Sequence, residues 1–263
     1  MPPLRGFPIC YDFIFRLTKK ANIMMKGKEL YRGKAKTVYA TDNPDLVIMH
    51  YRDDVSAFDG AKIAQLDKKG ETNNKINAFI MGRLEETGIK THFVKLLNER
   101  ESLVRAMKML PVECVVRNVC AGSMSKRLGI AEGTRLPEPI FEYFYKSDAL
   151  HDPMVNDDHI RVLGWASEDD IQRMRILTRR VNKILQPLFA NAGIDLVDYK
   201  LEFGRAVDEP EGPLLLGDEF TPDGCRLWDI KTGEKMDKDR FRRDLGEVIE
   251  YYREVGKRIG VPL

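Results

Sequence analysis

The sequence predicts an α+β protein of two unequal lobes. Residues 30–117 contain mostly short β-branched and apolar runs separated by turn signals, which are typical of strands, together with one helical pattern. The remaining residues combine long amphipathic helical patterns with further strands. With 263 residues and 43% hydrophobic content, the chain is long enough to bury a core in one large or two modest domains.

Charge and cysteine content exclude several classes of protein. The 43 lysine and arginine residues nearly balance the 41 aspartate and glutamate residues, which excludes binding to nucleic acid or to an anionic membrane through bulk charge. The four cysteines are scattered and form no Cys-x-x-Cys pair, so neither a disulfide scaffold nor structural zinc is indicated. No stretch approaches the roughly 20 apolar residues of a transmembrane helix. We therefore expect a cytoplasmic globular protein that has neither nucleic acid nor a membrane among its partners.

The first 25 residues differ from the rest of the sequence. Their apolar segment, residues 7–17, is interrupted by Asp12 and Arg16 and is followed by no small-residue cleavage site, which argues against a secretory signal. The strand and turn patterns begin only after Lys26. We predict that residues 1–25 are an upstream extension, or the product of a misassigned start, and lie outside the fold.

The first lobe is predicted to be a small sheet that carries one helix. Its candidate strands are, in order, Lys36–Ala40, Leu46–Tyr51, Ala61–Leu66 and Val112–Val116. The turn signal Asp42–Asp45 separates the first two of them. Between the last two, apolar residues recur at helical spacing from Ile76 to Leu84, and Gly88 fits a C-terminal cap.

The second lobe contains two predicted long helices. Ser167 followed by Asp170 forms an approximate N-terminal capping box before an apolar stripe over residues 171–188, which Gly193 closes. Pro187 is expected to kink this helix or to end it slightly early. The last element is predicted as one continuous helix over Lys238–Ile259. Residues 195–204 and 214–220 are predicted strands joined by the loop Glu209–Pro213.

The segment from Val197 to Phe203 carries the most informative chemistry. On a strand, Asp198, Lys200 and Glu202 lie on one face, opposite a face of apolar residues. The next strand ends with Asp218 directly after a glycine, so a twisted hairpin can bring Glu202 and Asp218 to one Mg²⁺ ion. Histidine and cysteine are absent from both segments, which favours magnesium over zinc. A half-solvated strand with a self-neutralising outer face explains the alternation about equally well.

Basic, small-residue turns form three further candidate sites. Lys34 and Lys36 flank a glycine-containing turn that can cover phosphates, although no Walker A or Gly-x-Gly-x-x-Gly motif is present and a solvated hairpin is the commoner interpretation. Arg117 ends a buried strand and is followed by Gly122 and Ser123, which together can bind an anion; Ser123 as a helix N-cap is the alternative. The cations of residues 235–243 can bind phosphate at a helix start, or simply face solvent.

Together, these segments resemble the SAICAR synthetase (phosphoribosylaminoimidazole-succinocarboxamide synthase) family of de novo purine biosynthesis. The resembling segments are, in order, Leu30–Lys36, Ser56–Gly60, Pro111–Asn118, Ala121–Ser123, Lys126–Gly129, His151–Met154, Asp198–Gly204 and Gly217–Trp228. The resemblance runs from about Glu29 to the C-terminus, with mild departures at Val119–Cys120 and in a longer loop at residues 205–213.

The resemblance implies a fold and a reaction. It implies a small N-terminal lobe with an antiparallel sheet over residues 26–110, which covers the nucleotide. A larger mixed α/β lobe over residues 111–263 then binds substrate and metal, with the ATP site between the lobes. The implied reaction uses ATP and Mg²⁺ to condense L-aspartate with carboxyaminoimidazole ribonucleotide (CAIR), through activation of the CAIR carboxylate by the γ-phosphoryl group. A possible homodimer is also expected.

The resemblance also implies roles for individual residues. Asp198 and Lys200 are the expected catalytic pair, and Glu202 and Asp218 the expected Mg²⁺ ligands. The residues expected at ATP are Lys34, Lys36, Met109, Val112 and Lys146. The residues expected at CAIR are Asp59, Arg117, Ser123, Arg226, Lys238 and Arg242. Two rival classes stay open: a small-molecule kinase with a similar two-lobed nucleotide site and an alcohol acceptor, and a non-catalytic nucleotide-binding or RNA-binding module.

Overall fold

The computed structural model describes residues 25–58 and 60–263. The proposed extension, except for its last residue, and the predicted substrate residue Asp59 therefore lie outside the described residues. The described chain is built on two antiparallel sheets and a separate hairpin, with helices packed against them. The predicted α+β class is confirmed.

The first half forms a five-stranded sheet, a short hairpin and one long helix. Its elements are, in chain order, β1 (Glu29–Arg32), β2 (Lys36–Ala40), β3 (Leu46–Tyr51), β4 (Asp54–Ala57), β5 (Lys62–Gln65), α1 (Lys69–Glu86), β6 (Phe93–Leu96) and β7 (Glu101–Arg105). The sheet has the order β1-β2-β3-β7-β6 with every pair antiparallel, and β4 pairs only with β5. Helix α1 contacts strands β3, β6 and β7 of this sheet and also contacts the C-terminal helix.

The second half is organised around one long central strand. Its elements are β8 (Met107–Val119), α2 (Gly122–Leu128), β9 (Arg135–Tyr145), β10 (Met154–Val155), α3 (Asp157–Val162), α4 (Glu168–Asn191), β11 (Ile194–Ala206), β12 (Leu215–Gly217), β13 (Cys225–Asp229), α5 (Asp239–Arg242) and α6 (Val248–Ile259). The sheet order is β10-β9-β8-β11-β12, and β13 also pairs with β11. The main core lies between this sheet and helices α1, α4 and α6. Strand β11 thus has the neighbours β8, β12 and β13.

The two sheets meet at β12. The Leu216 amide donates to the Lys90 carbonyl oxygen (3.0 Å), and the His92 amide donates to the Leu216 carbonyl oxygen (2.9 Å). These bonds place the end of β12, and the residues that follow it, beside the first sheet. Strand β8 runs continuously across position 110, where the boundary between the lobes was drawn. That division of the chain stays a prediction.

The prediction of one continuous C-terminal helix is wrong. Helix α5 ends at Arg242, and α6 begins only at Val248. Between them Asp244, Gly246 and Glu247 have φ angles of 56°, 73° and 50°. This left-handed backbone cannot continue a right-handed helix, because the two conformations curve in opposite senses. The helical periodicity of the side chains did not reveal the break.

The end of α4 and the start of α2 also differ from the sequence predictions. Ser167 caps α4 as predicted, because its hydroxyl oxygen accepts a hydrogen bond from the Asp170 amide at 3.1 Å. The helix then continues past Pro187 to Asn191, so the expectation of an early end is wrong. Helix α2 has Ala121 rather than Ser123 at its N-cap, which removes the capping interpretation of Ser123. Within the described residues, no helix is both long and apolar enough to span a bilayer.

Candidate active site

The register of β11 determines which charged side chains meet. Glu202 lies opposite Gly217 of β12 on one side and opposite Glu113 of β8 on the other. Four residues earlier, Asp198 lies opposite Arg117 of β8 and Arg226 of β13. The alternating polar residues of β11 therefore belong to two adjacent charged clusters, one around Lys200 and one around Asp198.

The first cluster surrounds the ammonium group of Lys200. Its Nζ lies 2.6 Å from Glu202, 2.7 Å from Glu113 and 3.8 Å from Asp218. Burial lowers the pKa of this lysine, but the three carboxylates outweigh that effect and hold the pKa well above its ordinary value. The structure thus brings Glu202 and Asp218 to one ammonium group, while their binding of one Mg²⁺ ion stays a prediction.

Two further lysines complete this cluster from other elements. Lys36 of β2 forms ion pairs with Asp218 and with Glu219 (2.8 Å to the latter), and Lys146 forms an ion pair with Glu202. Burial raises the pKa of Asp218, but Lys36 and Lys200 have the larger combined effect and lower it far below the usual range. Asp218 also has a φ of 53°, so its carboxylate is held by a left-handed backbone at the end of β12. Asp218 is therefore ionised, and Glu202 and Asp218 each contact two lysines.

The chemistry of these donors fits Mg²⁺. The described part of the chain contains no group of three or more histidine, cysteine, aspartate or glutamate side chains placed to hold a metal by themselves. Magnesium is bound in nucleotide sites by one or two carboxylates, and phosphate and water oxygens fill the remaining positions. Glu202 and Asp218 supply two carboxylates that share one neighbouring cation, which matches this type of site.

The other residues predicted at ATP lie around the same cluster. Lys34 forms an ion pair with Asp148 at 2.8 Å, close in sequence to Lys146. Met109 of β8 is 36% exposed and packs against Gly217, where a Cβ atom would lie only 2.9 Å from the Met109 methyl carbon. Val112 is fully buried in the core, so the side chain of Met109, unlike that of Val112, is accessible to a ligand.

The second cluster fixes the guanidinium group of Arg117. This group donates to Glu142 (2.6 Å), Asp198 (2.8 Å) and Ser123 (3.1 Å), and the arginine is 3% exposed. Its plane is therefore set from three directions. Sequence analysis named Arg117, Asp198 and Ser123 but missed Glu142, which lies on β9 and shows no pattern of its own.

Arg226, on the neighbouring strand β13, binds the same Asp198 carboxylate. Its guanidinium group donates to Asp198 (2.9 Å) and to Asp239 (3.0 Å). A Cβ atom on Gly122 would lie 2.4 Å from this group, and Gly122 also has a φ of 57°, so a side chain here would be strained and would displace Arg226. The small residues after β8 therefore allow the backbone to approach Arg226 closely.

Lys238 directly precedes α5, and Arg242 is the last residue of that helix. Arg242 donates to Asp239 at 2.5 Å, so one carboxylate holds both arginines. Lys238 is half-buried, and desolvation lowers its pKa although Asp223 acts in the opposite direction. Arg117, Arg226, Arg242 and Lys238 thus bring several cations into one region, as expected for a site that binds a multiply charged anion.

Comparison with known proteins assigns the chain to the ligases that form a C–N bond. A family model described as SAICAR synthetase matches residues 29–259. The phosphoribosylaminoimidazole-succinocarboxamide synthase of Hahella chejuensis is 60% identical over 238 residues, which are 90% of this chain and 99% of the relative. The chain belongs to the SAICAR synthetase family, so the resemblance found in the sequence is confirmed, and with it a place in purine biosynthesis.

Solved structures agree with this membership. The phosphoribosylaminoimidazole-succinocarboxamide synthase of Ehrlichia chaffeensis is 47% identical with a TM-score of 0.88, covering 90% of this chain and 100% of its own. A type-2 SAICAR synthetase in complex with ADP is 46% identical with a TM-score of 0.85 and the same coverage. The two-lobed SAICAR-synthase-like fold class is therefore confirmed.

Proposed function

We propose that this protein condenses L-aspartate with CAIR to form SAICAR, ADP and phosphate, with ATP and Mg²⁺. The observation that carries the proposal is the pair of adjacent clusters on β11. Around Lys200, four carboxylates and two further lysines suit a magnesium–polyphosphate, and around Asp198 two arginines suit an anionic ribonucleotide. The relative solved with ADP supports the nucleotide part.

The first chemical step in this proposal activates the CAIR carboxylate. A carboxylate is a poor electrophile, and attack of one of its oxygens on the γ-phosphorus of ATP gives an acyl phosphate and ADP. Lys34 and Lys36 bind the triphosphate, while Lys146 and Lys200 face the negative charge that shifts during transfer. A Mg²⁺ ion held by Glu202 and Asp218 would supply charge neutralisation on the phosphate oxygens.

The second step forms the amide. The amine of L-aspartate attacks the acyl carbon, the carbon–oxygen bond to phosphate breaks, and inorganic phosphate leaves. Arg117 and Arg226, held by Asp198, orient the ribonucleotide, and Ser123 adds a hydroxyl group at its edge. Lys238 and Arg242 bind its 5′-phosphate. Catalysis here is mostly positioning of the two reactants.

The proposal is tested by product analysis. Purified protein with CAIR, ATP and Mg²⁺ should release ADP and phosphate and form SAICAR only when L-aspartate is added. Omission of either L-aspartate or CAIR should leave no SAICAR by mass spectrometry. ATP turnover that yields a phosphorylated alcohol and needs no aspartate would instead support the small-molecule kinase. Nucleotide binding without any turnover would support the non-catalytic module.

Two further parts of the proposal concern the setting of the enzyme. A role in purine biosynthesis supports a cytoplasmic location, which fractionation of the source cells with immunodetection would test. A homodimer is proposed only from the family resemblance, and light scattering at several protein concentrations would test it.

A further inference from the structure

Helix α1 has a buried polar face that the proposed reaction does not use. Lys69, Asn73 and Asn77 recur at four-residue spacing and therefore lie on one face of the helix. All three are at most 1% exposed. We call this set the α1 polar row. A buried helix face is ordinarily apolar, so these residues require a physical explanation.

The α1 polar row contacts one segment, residues 218–226. Asn77 accepts a hydrogen bond from the Phe220 amide at 2.9 Å through its Oδ1. Asn73 donates to Asp223 at 2.9 Å, and Lys69 forms an ion pair with the same carboxylate at 2.5 Å. Each member of the row thus reaches the connection between β12 and β13.

This segment links the two charged clusters of the site. It begins with Asp218, the proposed Mg²⁺ ligand, and ends with Arg226, which the proposal places at CAIR. Residues 218–224 contain no helix or strand, so their conformation depends on contacts rather than on a regular hydrogen-bond ladder. Asp218 has a left-handed backbone, which persists only where the surroundings hold it. Asp223 also accepts from the Tyr252 hydroxyl at 2.8 Å, so helix α6 holds the segment from another side.

Stability alone does not explain the row. Asn73 Oδ1 and Asn77 Nδ2 are buried, and neither has a hydrogen-bond partner within the described residues. A buried polar atom left without a partner costs free energy, whereas an apolar side chain of similar size avoids that cost. The row therefore fixes the position of residues 218–226, although its unpartnered atoms reduce the stability of the fold.

We propose that the α1 polar row positions residues 218–226. Asn77 holds Asp218 in the position that binds the metal–nucleotide. Lys69 and Asn73 hold Arg226 in the position that binds the ribonucleotide. This inference rests on the proposed function for the identity of the two ligands. These are positioning residues, because each acts through the segment and not by touching substrate.

The experiment compares three alanine variants on the same helix in the full-length protein. Asn74 is the matched control: it is equally buried, but its amide donates to the Asn98 and Glu99 carbonyl oxygens, both at 3.0 Å, and accepts from Ser102 at 2.6 Å. These partners belong to the first sheet and the loop before β7. Asn74→Ala loses three hydrogen bonds and should therefore lower the unfolding temperature more than either row variant does.

The readouts are dissociation constants of Mg–ADP and of CAIR by calorimetry, followed by KM and kcat. Asn77→Ala should weaken Mg–ADP about tenfold and change CAIR little, because it releases the end of the segment that carries Asp218. Asn73→Ala should weaken CAIR about tenfold and raise its KM, with a smaller effect on Mg–ADP. Asn74→Ala should leave both dissociation constants unchanged.

Two results would overturn the inference: ligand affinities of Asn73→Ala and Asn77→Ala equal to the wild type, or equal losses in all three variants in proportion to stability. If an alanine variant does not fold, the serine variant at the same position replaces it, with the same expectations. Failure of the proposed function is recognised separately, because the unaltered protein would then form no SAICAR from CAIR, L-aspartate and ATP.

Discussion

Replacement of Lys200 by methionine tests whether the surrounding carboxylates can hold a divalent cation. Methionine keeps most of the length of the side chain and removes the ammonium group that lies within 4 Å of Glu113, Glu202 and Asp218. The three carboxylates then lose their common cation. We expect a less stable protein that gains stability when Mg²⁺ is added without any nucleotide.

The expected loss of stability follows from what each carboxylate retains. Glu202 keeps Lys146 and Asp218 keeps Lys36, whereas the ion pair described for Glu113 is with Lys200 alone. Leaving one partly buried carboxylate unpaired costs about 3 kcal/mol. Burial already raises the pKa of Glu113, and loss of Lys200 raises it further. A raised carboxyl pKa gives stability that is lost as pH rises, so the destabilisation by Lys200→Met should grow from pH 5 to pH 8.

The expected gain from Mg²⁺ follows from linkage. A cation at ten times its dissociation constant stabilises the folded state by about 1.4 kcal/mol, when it does not bind the unfolded chain. For a protein of this size that corresponds to an increase of roughly 3 °C in the unfolding temperature. The wild type should gain less, because the Lys200 ammonium group already occupies the position between the carboxylates.

The assay is thermal unfolding with and without Mg²⁺, followed by turnover. Lys62→Met is the matched control, since it removes an ammonium group that pairs with the exposed Asp244, away from this cluster. Lys200→Met should also lower kcat at least about a hundredfold, because a positioned charge at the transferring phosphoryl group is lost. Equal Mg²⁺ responses in Lys200→Met, Lys62→Met and the wild type would refute the metal assignment, and a wild-type kcat would refute the role of Lys200.

Three further predictions concern individual charges. Glu202→Gln and Asp218→Asn should each abolish Mg–ATP-dependent turnover while circular dichroism shows an intact fold, and an unchanged kcat in either would count against the metal site. Arg226→Ala should chiefly raise the KM for CAIR, so an unaltered KM would exclude Arg226 from that subsite. Burial and Asp239 raise the pKa of Asp237 to about 7, so the free energy of unfolding should fall as pH rises from about 4 to 7. Urea titrations should show a steeper fall in the wild type than in Asp237→Asn, and the same slope in both would contradict the prediction.

The chemistry of β11 was predictable because it is local. Alternation places Asp198, Lys200 and Glu202 together whatever the rest of the chain does, and the glycine before Asp218 marks the end of the neighbouring strand. The antiparallel hairpin of β11 and β12 follows from the same patterns and is confirmed. Local patterns therefore predict that these charged residues lie together, although they do not identify all of their partners.

The partners of these residues were not predictable, because they come from distant parts of the chain. Lys36 precedes Asp218 by 182 residues, and Glu142 reaches Arg117 from the neighbouring strand. Neither contact leaves a periodic pattern. The break before α6 was not predicted for a related reason. Side-chain periodicity shows which face of a helix is apolar, but it does not show where the backbone leaves the helical conformation.

The α1 polar row shows what hydrophobic periodicity omits. The apolar positions from Ile76 to Leu84 predicted the helix, but Lys69, Asn73 and Asn77 made no contribution to that prediction because they are polar and yet buried. A polar side chain on a helix faces the protein interior only when a polar group there requires a hydrogen-bond donor or acceptor. In this protein the requirement comes from an irregular segment that joins two charged clusters. Buried polar spacing on a helix that adjoins a charged loop is therefore evidence about a site, in the same way that apolar spacing is evidence about a core.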